Sequence, residues 1–219
     1  MDFLLKLLSP LAYIFHIFHK ICIRLNCIFW NCYTISYLYW VSVNNKKKLW
    51  EDNIKFNGHT TLYIKGKLKI GRNFICNSGK NYSIDSTPCA KIRVMPNAYL
   101  EFGENSGISN TIIHCYNNIK IGNNVNIGAG CMIFDTNFHS INWQDRKNRI
   151  KDVNNAKTSP IRIDDFVFIG ANCIICKGVL IGAKSMVAAG SVVVSNIPSG
   201  EIWGGNPAKF IKKIENPLI

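Results

Sequence analysis

Two short stretches of this chain hold the residues best suited to chemistry. In FDTNFH, Phe134 to His139, an imidazole follows the carboxylate of Asp135. From Asn137 to Ser159 the chain becomes polar and basic, with Arg146, Lys147, Arg149, Lys151 and Lys157, and His139 stands at the start of this excursion. A long irregular excursion from a compact domain is more often functional than idle. Imidazole is the side chain best matched to taking a proton near neutral pH, and it needs a partner on its second ring nitrogen to fix the tautomer. Asp135 is the candidate partner, and a backbone carbonyl would serve equally well. The second stretch is FIGANCIICKGVLIGAK, Phe168 to Lys184, where Cys173 and Cys176 have the C-x-x-C spacing of a metal or redox site.

The elements around these stretches follow a period of six. Ile163, Ile169, Ile175, Ile181, Val187 and Val193 recur without a slip. Val167, Cys173, Val179, Ser185, Ser191 and Ile197 follow four positions after them, and Gly170, Gly182 and Ala188 follow three of them directly. Neither a helical nor a strand period sustains this pattern, so it is an internal repeat. The physical reading is a solenoid of short parallel strands, each rung turning one aliphatic side chain into a narrow axial core. Ile121, Ile127 and Ile133 continue the register backwards, with Phe102 and Ile108 before a one-residue slip between His114 and Ile121; Leu62, Leu68 and Ile70-Gly71 follow it less strictly. Cys173 then occupies an inward position of the repeat, and Cys176 stands where Gly170 and Gly182 stand. No second ligand pair accompanies them, so the C-x-x-C is repeat register and not a zinc or redox site.

The chain has 219 residues, and 26 Lys and Arg against 13 Asp and Glu give a formal charge of +13. Such an excess predicts an anionic partner: nucleic acid, a membrane face or a phosphorylated small molecule. No RNA- or DNA-binding signature is present, which argues against nucleic acid. Nine scattered cysteines, an odd number, point to free thiols in a reducing cytoplasm. Residues 1–48 read as a helical membrane-associating segment. Leu4, Leu7, Leu11, Ile14, Phe15 and Phe18 lie opposite a narrow polar stripe, Trp30, Tyr37 and Trp40 suit the headgroup level, and Lys46, Lys47 and Lys48 follow. The expectation is an anchor lying in the plane of the cytoplasmic membrane face; a membrane span and helices packed on the protein's own domain are the alternatives.

IKIGNNVNIGAGCMIFDTNFHSI (Ile119 to Ile141) and PIRIDDFVFIGANCIICKGVLIGAKSMVAAGSVVVSNIP with GGNPAKFIKKI (Pro160 to Ile214) resemble the hexapeptide-repeat acyltransferases. Within that family the chain is most similar to the maltose and galactoside acetyltransferases and to the O-acetyltransferases of bacterial surface polysaccharides. The resemblance implies an all-β solenoid, a left-handed parallel β-helix over residues 49–215 with the excursion at 137–159, assembled as a homotrimer that uses acetyl-CoA and no metal. It implies His139 as general base, and backbone groups of Ala171 and Ala189 along the pantetheine arm. Lys209 and Lys212 would face the nucleotide phosphates, and Trp203 the adenine, with core packing or trimer contact as its alternative. Val194-Ser195 stands where relatives often carry Thr-Lys, so a phosphate contact is missing there or comes from Lys213. Asn110, in SGISNTII, corresponds approximately to a sugar-touching position, and Phe138, Trp143 and Arg146 would meet a large or lipid-linked acceptor. The γ-type carbonic anhydrases share the solenoid but need three converging histidines, a spacing not found here. The expected activity is acetyl transfer to a sugar hydroxyl of a surface polysaccharide precursor, by a protein peripheral at the inner face of the cell membrane. The rivals are acetylation of a soluble sugar or amino-sugar nucleotide, and a non-catalytic assembly protein.

Overall fold

The computed structural model describes residues 53–82 and 89–215 and, in the N-terminal segment, residues 18, 21–22, 25, 28–29 and 32–39. The chain winds into a three-walled parallel β-helix. Its walls are sheets of eight, six and five short strands, and neighbouring strands come from successive coils. Ile169 pairs with Val187 and Ile175 with Val193, each three hexapeptides further on, so one coil takes three repeats. The final pair, Glu201–Gly204 with Lys209–Lys213, is antiparallel. This arrangement fits the left-handed parallel β-helix expected from the repeat.

The period of six works because both of its apolar positions point inward. Ile163, Ile169, Ile175, Ile181, Val187 and Val193 are buried, and so are Val167, Cys173, Val179, Ser185, Ser191 and Ile197 between them. Full burial of one such aliphatic side chain is worth about 1.5–3 kcal/mol, and here it recurs on every rung. The less regular N-terminal coils belong to the same core, which they fill with rings: Phe56, Phe74 and Phe102 stack along the axis with centroids 6.1 and 4.6 Å apart. Their strands run three to five residues where later ones run two, which is why the six-residue rule blurs there.

One corner of each coil turns through a residue in the left-handed region. Asn53, Asn73, Asn105 and Asn124 take it at φ of 55–57°, and Phe166 and Lys184 take it at 61° in later coils. Asparagine tolerates this conformation, and the lower ones ladder through their amides, Asn53 Nδ2 to Asn73 Oδ1 and Asn73 Nδ2 to Asn105 Oδ1, both 2.8 Å. A second corner needs close approach: a Cβ on Gly170 would come within 2.5 Å of the Ala189 nitrogen, and one on Gly128 within 2.6 Å of the Ala171 nitrogen.

The anchoring expectation for residues 1–48 falls largely outside the described residues. Those described are helical, and Leu38 enters the core with Ile35 and Tyr37 packed against it. Phe18, Ile21, Leu25, Ile28, Phe29, Tyr33 and Tyr39 are exposed. No helix among the described residues is long and apolar enough to cross a membrane. At the corner, Phe166→Asn is expected to raise stability by about 1 kcal/mol, because asparagine relieves the left-handed strain that the exposed phenyl ring carries. Urea denaturation of the two proteins measures the difference.

Candidate active site

His139 is positioned from both ends of the excursion. The strand Met132–Phe134 leads into Asp135, which is fully buried. Its carboxylate accepts the backbone N–H groups of Tyr116 at 2.7 Å and Asn117 at 2.8 Å. Burial pushes the Asp135 carboxyl up, against the pull of those N–H donors. The Asp135 carbonyl accepts Ser159 N–H at 3.0 Å, and Thr136 bridges Thr158, so the excursion is pinched shut at its neck. Asp135 therefore clamps one coil to the next and does not partner His139, which corrects the expectation from sequence.

The partner is Asp152. Its Oδ2 lies 2.7 Å from His139 Nδ1, and its Oδ1 accepts Ser140 N–H at 2.8 Å. The bond from His139, then that from Ser140, holds the Asp152 carboxyl below the usual carboxylate range. An ionised carboxylate fixes the proton on Nδ1 and leaves Nε2 as the acceptor nitrogen. Asp152 sits in the short helix Arg149–Asn154, started by Asn148, whose side chain accepts Ile150 and Lys151 N–H. A polar network ties that helix to the loop: Ser140 Oγ donates to Asp145 Oδ2 at 2.8 Å, and Asn155 Nδ2 donates to the same oxygen at 2.9 Å. The sequence signal for Asp152 was weak, an Asn cap before RIKDVN, because a contact across thirteen residues inside a non-repetitive loop has no periodicity to reveal it.

Phe138 holds φ at 60°, a strained backbone for a bulky residue. Thr136 Oγ1 accepts its N–H at 3.0 Å, and its ring rests on His114, Tyr116 and Phe134 with centroids 5.6, 5.8 and 5.4 Å away. That cluster turns the chain so that the next side chain, His139, borders an open cavity of about 370 Å³. Phe134, Phe138, Cys176 and Lys177 share the lining, the last two unforeseen from sequence.

The remaining expected residues separate. Arg146 spends its guanidinium on the carbonyls of Ser140 (2.7 Å) and Ile141 (3.1 Å), shaping the loop. Trp143 is exposed beneath Lys147 Nζ, 4.7 Å from the ring centroid. Asn110 is fully buried, and its amide bonds both N–H and carbonyl of Gly79 at 2.8 and 3.0 Å, so it joins two coils and offers nothing to a sugar. Trp203 stands in register with Val187 and packs, partly buried, on the end of the core, its Nε1 donating to Glu201 at 2.8 Å. Ala171 and Ala189 line the corner before the six-stranded sheet, half-buried and exposed respectively. Lys209 and Lys212 lie on an exposed strand. His139 follows the strand Met132–Phe134, whereas Ala171 precedes the strand Ile174–Ile175 paired with it, so the two stand beyond opposite ends of neighbouring strands. Among the described residues no three His, Cys, Asp or Glu side chains converge as metal ligands.

Residues 160–195 match the model of the hexapeptide repeat of succinyl-transferase. That stretch carries the repeat. A stretch of 57 residues is 53% identical to a 2,3,4,5-tetrahydropyridine-2,6-dicarboxylate N-acetyltransferase of Clostridium perfringens, covering 26% of this chain and 24% of that one. A stretch of 59 residues is 48% identical to the mitochondrial gamma carbonic anhydrase 2 of Arabidopsis thaliana, covering 26% and 21%. The chain thus spans about a quarter of the length of these relatives. Among solved structures, the polySia-specific acetyltransferase NeuO superposes with a TM-score of 0.55 at 25% identity, covering 77% of this chain and 73% of that one. A galactoside acetyltransferase in complex with coenzyme A superposes with a TM-score of 0.50 at 26% identity, covering 65% and 66%.

The pairing predicts a single tautomer of the neutral ring. Nitrogen NMR of neutral His139 is expected to show the proton on Nδ1, and Asp152→Asn should mix the two forms. An unchanged signature in the variant would mean that Asp152 does not hold the ring.

Proposed function

We propose that this protein is an acetyl-CoA-dependent O-acetyltransferase, acting on a sugar hydroxyl of a bacterial surface polysaccharide or its precursor. The observation that carries the reading is the His139–Asp152 pair, which leaves Nε2 bordering a cavity while Nδ1 is held. A thioester is already activated, so the protein's task is to bring an alcohol to it and remove the proton. Nε2 takes the hydroxyl proton as the oxygen attacks the thioester carbonyl. The tetrahedral oxyanion collapses, the C–S bond breaks, and the imidazolium returns the proton to the departing sulfur, giving the ester and free CoA. The ionised Asp152 stabilises the imidazolium formed between these steps.

Acetyl-CoA would lie along Ala171 and Ala189 of a neighbouring protomer in a homotrimer, since one chain holds Ala171 and His139 beyond opposite ends of paired strands. The Ala171 N–H would face the oxyanion, and Lys209 and Lys212 the phosphates. The similarity to NeuO and to a galactoside acetyltransferase supports a sugar acceptor. A second reading, acetylation of an amine on a soluble substrate, draws support from the match to the C. perfringens N-acetyltransferase. The exposed apolar residues Phe18, Ile21, Leu25, Ile28 and Phe29, three or four apart on helical backbone, support an in-plane seat on the cytoplasmic membrane face near lipid-linked acceptors.

With radiolabelled acetyl-CoA and extracted lipid-linked oligosaccharide, the purified protein should form an alkali-labile ester. His139→Ala should lower kcat by about 10²–10⁴ with CoA binding retained. Asp152→Asn should lower kcat with KM little changed. Label appearing only in amides on free amino sugars would overturn the O-acetyl reading in favour of the second. Co-sedimentation with anionic vesicles should require the N-terminal segment; equal sedimentation of a protein carrying Phe18→Asp, Leu25→Asp and Phe29→Asp would remove the membrane seat.

A further inference from the structure

The outward positions of the six-stranded sheet stack into vertical rows, because the register holds from coil to coil. In one row Tyr63 pairs with Arg93, Arg93 with His114, and His114 with Phe134. Phe134 lines the cavity at His139, so this row ends at the candidate base. Lys91 stands beside it in the neighbouring row. The strands of this sheet contain no carboxylate. The five-stranded wall differs, for there Lys69 pairs with Glu101 at 2.8 Å and Arg162 with Asp164 at 2.6 Å. Lys91 and Arg93 take part in none of the ion pairs among the described residues.

Arg93 is stacked instead on Tyr63, its guanidinium carbon 5.2 Å from the ring centroid, with Lys65 Nζ 5.1 Å from the same ring. A guanidinium spread on an aromatic face keeps its fork of N–H donors for an anion. His114 Nδ1 is buried and has no hydrogen-bond partner among the described residues. A buried polar atom without a partner costs stability unless something supplies one. Burial, then the charges of Arg93 and Lys91, keeps the His114 ring below the usual histidine range, so the cations here are Arg93 on the row and Lys91 beside it.

We propose that this row is an acceptor track, binding a glycan that carries negative charge on the sugar next to the one acylated. Stacked strands are about 4.8 Å apart, which puts Arg93 two coils, about 10 Å, below Phe134. That is too far for the ring whose hydroxyl reaches His139 and suits its neighbour along a chain. The rings of Phe134 and Phe138, which line the cavity, offer apolar surface to a sugar ring. The track descends through the N-terminal coils, whereas the Ala171–Ala189 corner ascends through the later ones, so donor and acceptor do not compete. The inference rests on the acyl-transfer reading and names the acceptor class of that same site.

The test is binding by the full chain of fluorescent oligogalacturonate, a carboxylated glycan, and of maltoheptaose, a neutral one of similar length. Oligogalacturonate is expected to bind at least 10-fold more tightly, with the difference shrinking as salt is added. Arg93→Ala and Lys91→Ala should each weaken it about 10-fold, and thermal melting checks that the variants fold. Lys67→Ala with Lys120→Ala removes two charges from the five-stranded wall and should leave binding unchanged. Equal affinity for the two glycans, or equal weakening by the control pair, overturns the track. Calorimetric CoA binding on the same samples separates the two claims: its absence with selective glycan binding kept would sink acyl transfer and leave the track standing.

Discussion

Everything in this molecule is placed by one constraint: each coil must lay its inward side chains on those of the coil below. An axial stack of isoleucines and valines, changing to phenylalanines toward the N-terminal end, leaves no freedom for a strand to slide. A one-residue slip would turn every aliphatic residue of a rung toward water. Because the core admits only this register, outward residues inherit it. Tyr63, Arg93, His114 and Phe134 form a row for the same reason that Ile92, Ile113 and Ile133 do.

Against that rigid background the chemistry gathers where the repeat is broken. The excursion gives up regular hydrogen bonding and replaces it with a polar network centred on Ser140, Asp145 and Asp152. Its conformation is further set by strain at Phe138, which aromatic contacts on the sheet wall sustain. A histidine held in this way owes its tautomer to the loop and its place to the wall. The two contributions differ in kind: Asp152 acts on the ring's protonation, and Phe138 on where the ring stands.

Most of the solenoid was legible in the sequence because its period is an arithmetic property of inward side chains. Both inward positions were identified, and Cys173 was placed in the core on register alone. The histidine was legible too, standing where the register fails. What was hidden has a common cause. Asp135 looked like the natural partner of His139 because it is near in sequence, but its carboxylate is spent on the backbone N–H groups of Tyr116 and Asn117. Asp152 reaches His139, and Cys176 and Lys177 the cavity, through tertiary proximity that no spacing encodes. Asn110 and Arg146, polar residues that suggested ligand contacts, serve the backbone instead. The aromatic N-terminal coils escaped the six-residue rule because longer strands accommodate other spacings.

The neck of the excursion has an evolutionary corollary. Met132 and Ile133 pair with Ile174 and Ile175 as though nothing had been inserted, and the Thr136–Thr158 bridge seals the two ends together. The cost of closing a loop grows only slowly with its length, about 0.6 kcal/mol for each doubling. Such a hinge-like junction is a graft site. Lineages can lengthen, shorten or exchange the inserted lobe, and with it the choice of what is modified, while the scaffold beneath keeps its pitch.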